Sequence, residues 1–305
     1  MKEFWFDSHG AGKIHCCRWD PEGEPRAIVQ IVHGIAEFVQ RYADFAEYLT
    51  AHGFVVVGED HMGHGGSIEG GSIQGYFHGG WFTALEDTLQ LMENMKQEYP
   101  DIPYILFGHS MGSFMTRSIL CKYPGCGIDA AIICGTGWMG GVTLRVMNTM
   151  MDLICGRMEE TSPSPKVQAI AFGSYNSRIE HKRTDYDWLS RDSRVVDAYI
   201  AHPLCGFNAS CGLFRDMAQG MRYNQKTENL LKMKTDLPVF FIAGGEDPVG
   251  GYGKGVEKAA DEFIRVGMQD VSRRIYPLCR HEILNEINKE EIYEDILDWI
   301  RSKLK

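Results

Sequence analysis

Gly108-His109-Ser110-Met111-Gly112 sets a serine between two glycines, directly after the apolar block Tyr104–Phe107 and ahead of a helical stretch. A serine held on a strained strand-to-helix turn exposes its hydroxyl, and side chains at the flanking positions would crowd the neighbouring backbone. The same pattern alone also fits a tight turn with an idle serine. The hydroxyl becomes a strong nucleophile only when a base removes its proton, and that base is almost always a histidine steered by a buried carboxylate. Two later loops carry those residue types. Gly244-Gly245-Glu246-Asp247-Pro248-Val249 follows the apolar block Val239–Ala243, and Leu278-Cys279-Arg280-His281-Glu282 follows the more polar Arg273–Tyr276. Asp247 is the expected orienting acid, with Glu246 as its local competitor; the residue before Pro248 is pushed toward an extended conformation, which suits a fixed turn. His281 is the expected base. Taken singly, Asp247 also reads as a turn carboxylate bonding its own backbone, and His281 as a surface histidine beside Glu282. Together they fall in the order serine, acid, histidine, each on a loop after a candidate strand.

Attack on a carbonyl also needs donors for the developing oxyanion. The backbone N–H of Met111, at a helix N-terminus, is the expected first donor. The loop His33-Gly34-Ile35-Ala36-Glu37 follows Ala27–Val32, and the N–H of Ile35 is the expected second. A glycine turn without function is the plain alternative for that loop. Asp60-His61-Met62-Gly63-His64-Gly65 admits a metal reading, but a glycine-rich loop shaping the floor of the site fits it better. A zinc site from His15, Cys16 and Cys17 meets the objection that adjacent strand residues face opposite ways.

These loops need strands to carry them. Candidate strands are Phe4–Phe6, His15–Trp19, Ala27–Val32, Phe54–Gly58, Tyr104–Phe107, Ala130–Cys134, Val239–Ala243 and Arg273–Tyr276. The five from Ala27 to Ala243 are too apolar to have a wet face, as in parallel strands covered on both sides. Candidate helices are Tyr42–Ala51, Ala84–Glu98, Ser113–Lys122, Val256–Val266 and Glu290–Leu304. In the last of these, Ile292, Ile296, Trp299 and Ile300 recur at helical spacing. Alternation of this kind predicts a doubly wound, mostly parallel α/β sheet with an antiparallel hairpin of the first two strands at one edge. The rhythm breaks over 136–234, which holds no convincing buried strand. That stretch is expected to be a helical cap inserted into a core made of 1–135 and 235–305. Its methionines, Met139, Met147, Met150, Met151 and Met158, read equally as helix core or as an adaptable wall for an acyl chain.

Composition narrows the partners. An apolar share of 44% with 11% aromatics suits a globular chain with a sizeable core. The formal charge of −10 argues against nucleic acid and against electrostatic docking on anionic membranes. No apolar run approaches a membrane span, and Met1-Lys2-Glu3-Phe4-Trp5-Phe6-Asp7 lacks the basic and apolar regions of a signal peptide. Nine cysteines, an odd number with no C-x-x-C, suit a reducing cytoplasm.

The motifs taken together resemble the α/β-hydrolases of the group containing monoglyceride lipases, lysophospholipases and related serine esterases. The resemblance is carried by His33-Gly34-Ile35-Ala36-Glu37 with Arg41-Tyr42, by Asp60 with Gly63-His64-Gly65, and by Gly108-His109-Ser110-Met111-Gly112. Asp247-Pro248-Val249 and His281-Glu282-Ile283-Leu284-Asn285-Glu286 extend it. It covers both parts of the core, and the cap only loosely; Met62 departs from the arginine common before Gly-His-Gly. It implies an eight-stranded α/β-hydrolase fold with an inserted cap, and hydrolysis of a monoacyl carboxylic ester by Ser110, Asp247 and His281 without metal or organic cofactor. The cap is the expected place for any transient membrane contact. An aminopeptidase or an acyltransferase would use the same triad; an aminopeptidase would need cap carboxylates such as Glu159, Glu160, Asp185, Asp187 or Asp192 to hold an ammonium group. A non-catalytic binding protein would require a broken triad, and none of its positions is substituted. Acyl length, alcohol moiety, oligomeric state and physiological substrate are not encoded in these motifs.

Overall fold

The computed structural model describes residues 1–304. Strands β1 (Lys2–Asp7) and β2 (Lys13–Trp19) form an antiparallel hairpin in which Glu3 lies opposite Cys17 and Trp5 opposite His15. There follow β3 (Ala27–Val32), α1 (Ala43–Ala51), β4 (Phe54–Glu59), α2 (Trp81–Glu98), β5 (Tyr104–His109), α3 (Met111–Lys122) and β6 (Ala130–Cys134). Five helices then intervene: α4 (Gly141–Cys155), α5 (Pro165–Phe172), α6 (Ser193–Ala201), α7 (Cys211–Tyr223) and α8 (Thr227–Leu230). The chain closes with β7 (Val239–Gly244), α9 (Lys254–Arg265), β8 (Val271–Tyr276) and α10 (Lys289–Lys303).

The strands join in one sheet of order β1-β2-β4-β3-β5-β6-β7-β8. β2 pairs antiparallel with β4, and every pair from β4 to β8 is parallel. This is the α/β-hydrolase architecture that the motif pattern implies. The five central strands, β3 to β7, are buried at every position because helices cover both faces. On one face Phe45 and Leu49 of α1 meet Ile292, Ile296 and Ile300 of α10; on the other, Leu85, Met115, Ile119 and Phe263 come from α2, α3 and α9. β8 is half exposed at its edge, as its polar sequence requires.

Helix boundaries differ from the apolar periodicity where backbone geometry sets them. α2 begins at Trp81, three residues before the predicted Ala84, because Gly80 at φ 82° turns the chain into it. α3 begins at Met111, directly after the serine. Among the helices between β6 and β7, α7 packs on α4 and also on α2 and α3 of the core. Gly220 permits that approach: a Cβ there would lie 2.1 Å from the Trp81 ring. No helix among the described residues is long and apolar enough to cross a membrane.

Candidate active site

Ser110 sits between β5 and α3 at φ 53°, ψ −119°, a positive φ that a side chain adopts only under strain. The flanking glycines are there for contact rather than for conformation. A Cβ on Gly108 would lie 2.3 Å from Thr116 Oγ1, and one on Gly112 would lie 1.9 Å from the Val32 carbonyl oxygen. The elbow is therefore wedged against the end of β3.

The loops after β7 and β8 bring Asp247 and His281 together. His281 Nδ1 lies 3.0 Å from Asp247 Oδ2, and both side chains are buried. Asp247 Oδ1 accepts the Val249 N–H at 2.9 Å, so its carboxylate is held at both oxygens. Glu246, the competitor, is exposed to solvent. The imidazole is packed between the His109 and Trp188 rings, at centroid distances of 4.7 and 5.0 Å, and a Cβ on Gly135 would lie 3.1 Å from its Cε1. Ser110 and His281 open on one cavity of about 940 Å³ without a hydrogen bond between them.

Gly34, Ile35 and Met111 line the same cavity. A Cβ on Gly34 would come within 3.1 Å of the Ser110 Cβ, which places the loop after β3 beside the serine. The N–H groups of Ile35 and Met111 have no hydrogen-bond partner among the described residues. Beneath this loop His33 is locked as a neutral imidazole. The His61 N–H donates to its Nε2 at 3.0 Å, which leaves Nδ1–H to donate to the Gly34 carbonyl at 2.7 Å. Burial, reinforced by His61 and His64, holds its pKa well below the histidine range.

One polar network has roles that residue types alone did not assign. Glu37 Oε1 accepts the Gly34 N–H at 2.7 Å and the Tyr42 hydroxyl at 2.8 Å; the Tyr42 oxygen in turn lies 2.8 Å from His109 Nδ1. Arg41 reaches Glu37 and grips Glu282. Burial would raise the Glu37 carboxyl, but the His109 hydrogen bond and the Arg41 charge hold it well below its usual range. Glu37, Arg41, Tyr42 and Glu282 were recognisable as motif members; their mutual contact was not, since side chains 241 positions apart carry no sign of pairing.

The family model described as serine aminopeptidase, S33, matches residues 23–288. The chain belongs to that family. It is similar to a monoacylglycerol lipase of Mycolicibacterium smegmatis, 28% identical over 99% of this chain and 98% of the other. The human monoglyceride lipase is 25% identical over 90% of this chain and 85% of its own. Among solved structures, a carboxyl esterase from Bacillus coagulans superposes at a TM-score of 0.92 with 30% identity, covering 100% of this chain and 99% of that one.

Other residues of this S33 member divide between scaffold and cavity wall. Asp60 Oδ1 accepts the Val39 N–H at 2.7 Å; Oδ2 accepts the Gly66 N–H at 2.7 Å and faces His15 Nδ1 at 2.8 Å. A Cβ on Gly65 would collide with that carboxylate at 2.2 Å, which explains the glycine. His64 is buried, and burial followed by the His61 charge brings its pKa down to about 4. The loop thus braces the floor under His33. Of the methionines between β6 and β7, Met139, Met147, Met150 and Met151 line the cavity with Met217 and Met221, whereas Met158 does not.

Proposed function

We propose that this chain is a serine hydrolase of carboxylic esters bearing one long acyl chain, with Ser110 as nucleophile, His281 as base and Asp247 as orienting acid. The observation that carries the reading is a single cavity lined by both Ser110 and His281 and, for much of its wall, by methionines and other apolar side chains. The names of the lipase and esterase relatives agree with it. With Nδ1 engaged by Asp247, the imidazole has Nε2 free to take the Ser110 proton during attack on the ester carbonyl. The oxyanion is received by the unpartnered N–H groups of Ile35 and Met111. The same imidazole returns the proton to the leaving alcohol, then activates water to release the acyl group. Residues 136–234 act as a cap over the reacting groups, and their helices α4, α5 and α7 supply the acyl wall.

Aminopeptidase action is the rival because of the family description. It is disfavoured by where the cap carboxylates point. Glu160 pairs with Arg215, Asp192 caps α6, and Asp187 accepts bonds from its own loop at Thr184. Of the cap carboxylates named above, Asp185 alone lines the cavity, and it is exposed to solvent.

The test pairs labelling with a substrate panel. A fluorophosphonate should add one adduct that Ser110→Ala abolishes; an unlabelled wild type would overturn the serine-hydrolase reading. Monoacylglycerols, lysophospholipids and p-nitrophenyl esters of graded length should be cleaved in preference to aminoacyl anilides. Faster anilide cleavage would overturn the ester reading, and predominant transfer to an added alcohol or thiol would replace hydrolysis with acyl transfer.

A further inference from the structure

The hairpin at the far edge of the sheet gathers three metal-ligating side chains that the reaction does not use. The antiparallel register sets Glu3 directly across from Cys17, and His15, two residues before Cys17, projects from the same face. One donor atom from each of Glu3, His15 and Cys17 lies within 4.8 Å of the other two, the one such convergence among the described residues. The objection from neighbouring residues holds for Cys16, whose side chain enters the opposite core, but not for this trio.

The imidazole is already held as a metal-ligating histidine is held. Its Nδ1 is 2.8 Å from the buried Asp60 Oδ2, the carboxylate–histidine pairing that fixes the tautomer and aims the other nitrogen outward. Nε2 then lies 3.9 Å from Glu3 Oε2. The ring is clamped between the Trp5 indole, at a centroid distance of 4.9 Å, and Gly66, where a Cβ would come within 2.7 Å of its Cγ. Cys17 is fully buried, while Glu3 is half exposed, its Oε1 accepting from Gln40 Nε2 at 2.9 Å and its Oε2 turned toward His15.

We propose that Glu3, His15 and Cys17 form a binding site for a divalent transition metal, zinc by its donor set, with Asp60 as the outer partner of His15. Zinc bonds at tetrahedral angles put donors about 3.5 Å apart, so the trio needs to contract by roughly 1 Å. A thiolate, an imidazole and a carboxylate favour zinc over magnesium or calcium. Binding forms a metal–sulfur bond at Cys17 and releases its thiol proton to solvent, leaving the fourth position to water. Because Asp60 also holds the Val39 N–H, the ion would tie the first hairpin to the segment that carries Glu37 and Arg41.

Cobalt(II) added to the metal-free full chain is the direct probe. The expected result is one Co²⁺ per chain, with a thiolate-to-cobalt charge-transfer band in the near ultraviolet that equimolar Zn²⁺ abolishes. Cys17→Ala should remove the band, while Cys126→Ser keeps it. Glu3→Gln, on an exposed residue that leaves the fold intact, should weaken Co²⁺ binding about tenfold or more. A wild type without the band, a band that survives Cys17→Ala, or unchanged affinity in Glu3→Gln would each overturn the site.

Discussion

Arg41 grips Glu282 through both terminal nitrogens, at 2.8 and 2.7 Å, and thereby joins the loop after β3 to the residue following His281. The same guanidinium touches Glu37, whose other oxygen holds Gly34 beside the serine. The Tyr199 ring lies 4.8 Å from the guanidinium, so the clamp is covered as well as paired. One buried cation thus couples the proposed oxyanion donor to the proposed base.

Arg41→Met should leave two buried carboxylates without their cation. Removing one partner of a buried ion pair costs about 3–5 kcal/mol. Urea unfolding of the variant should report a loss of that order, together with a fall in kcat on a short soluble ester. A loss below about 1 kcal/mol would mean that Glu37 and Glu282 are satisfied without Arg41.

Ser110→Gly should lose ester hydrolysis and gain stability. The positive φ at this position is strained for serine and free for glycine, and such strain costs on the order of 1–3 kcal/mol. Thermal unfolding should shift upward relative to wild type, whereas Ser110→Ala, which retains a Cβ, should not show that gain. Equal melting temperatures for the two variants would refute the strain argument.

Asp247→Asn should lower kcat about 10³–10⁴-fold with the fold intact, since the amide no longer holds the base in its working tautomer. Glu246→Gln should stay within about twofold of wild type, because that side chain points to solvent. Steady-state rates on one ester decide the matter, and a reversed ranking would make Glu246 the acid.

The Glu37–His109 pair sets a pH window for stability. Burial alone would lower His109, but the Glu37 hydrogen bond and charge outweigh it and hold the imidazole above its ordinary 6.5. Its contribution is complete below pH 6.5 and is lost as pH rises through the raised folded value. Glu37 behaves oppositely, because its folded value lies below its ordinary 4.5: its contribution is complete above pH 4.5 and is lost as pH falls through the lowered value. The pair therefore stabilises most between about pH 4.5 and 6.5. In urea midpoints against pH, His109→Asn should flatten the alkaline decline and leave the acid limb; an unchanged alkaline slope would assign that decline elsewhere.

The central strands were legible in the sequence because burial on both faces leaves no polar alternation to confuse them. The convergence of the loops carrying Ser110, Asp247 and His281 follows from the same sheet: Ser110 and Asp247 come after such buried strands, His281 after the half-exposed β8, and parallel pairing carries all three strand ends the same way. What stayed hidden depends on pairing across the chain. The Arg41–Glu282 clamp, the Asp60–His15 contact and the Gly220–Trp81 approach each join residues whose local surroundings look ordinary. The helices between β6 and β7 were hard to bound for the opposite reason. Some of their apolar residues, such as Leu144 and Leu213, are buried while others face the cavity or solvent, with Val142 70% and Val146 62% exposed, so hydrophobic spacing there does not mark a core face alone.

Gly112 rests on the Val32 carbonyl with no room for even a methyl group between them. The seat of the turn that carries Ser110 is therefore gauged by backbone against backbone, like a feeler blade in a fixed gap. Repacking of the neighbouring side chains can neither tighten nor loosen that seat. Tuning this hydrolase toward a bulkier or smaller acyl partner has to come from the walls of the chamber, because its jaws have no adjustment.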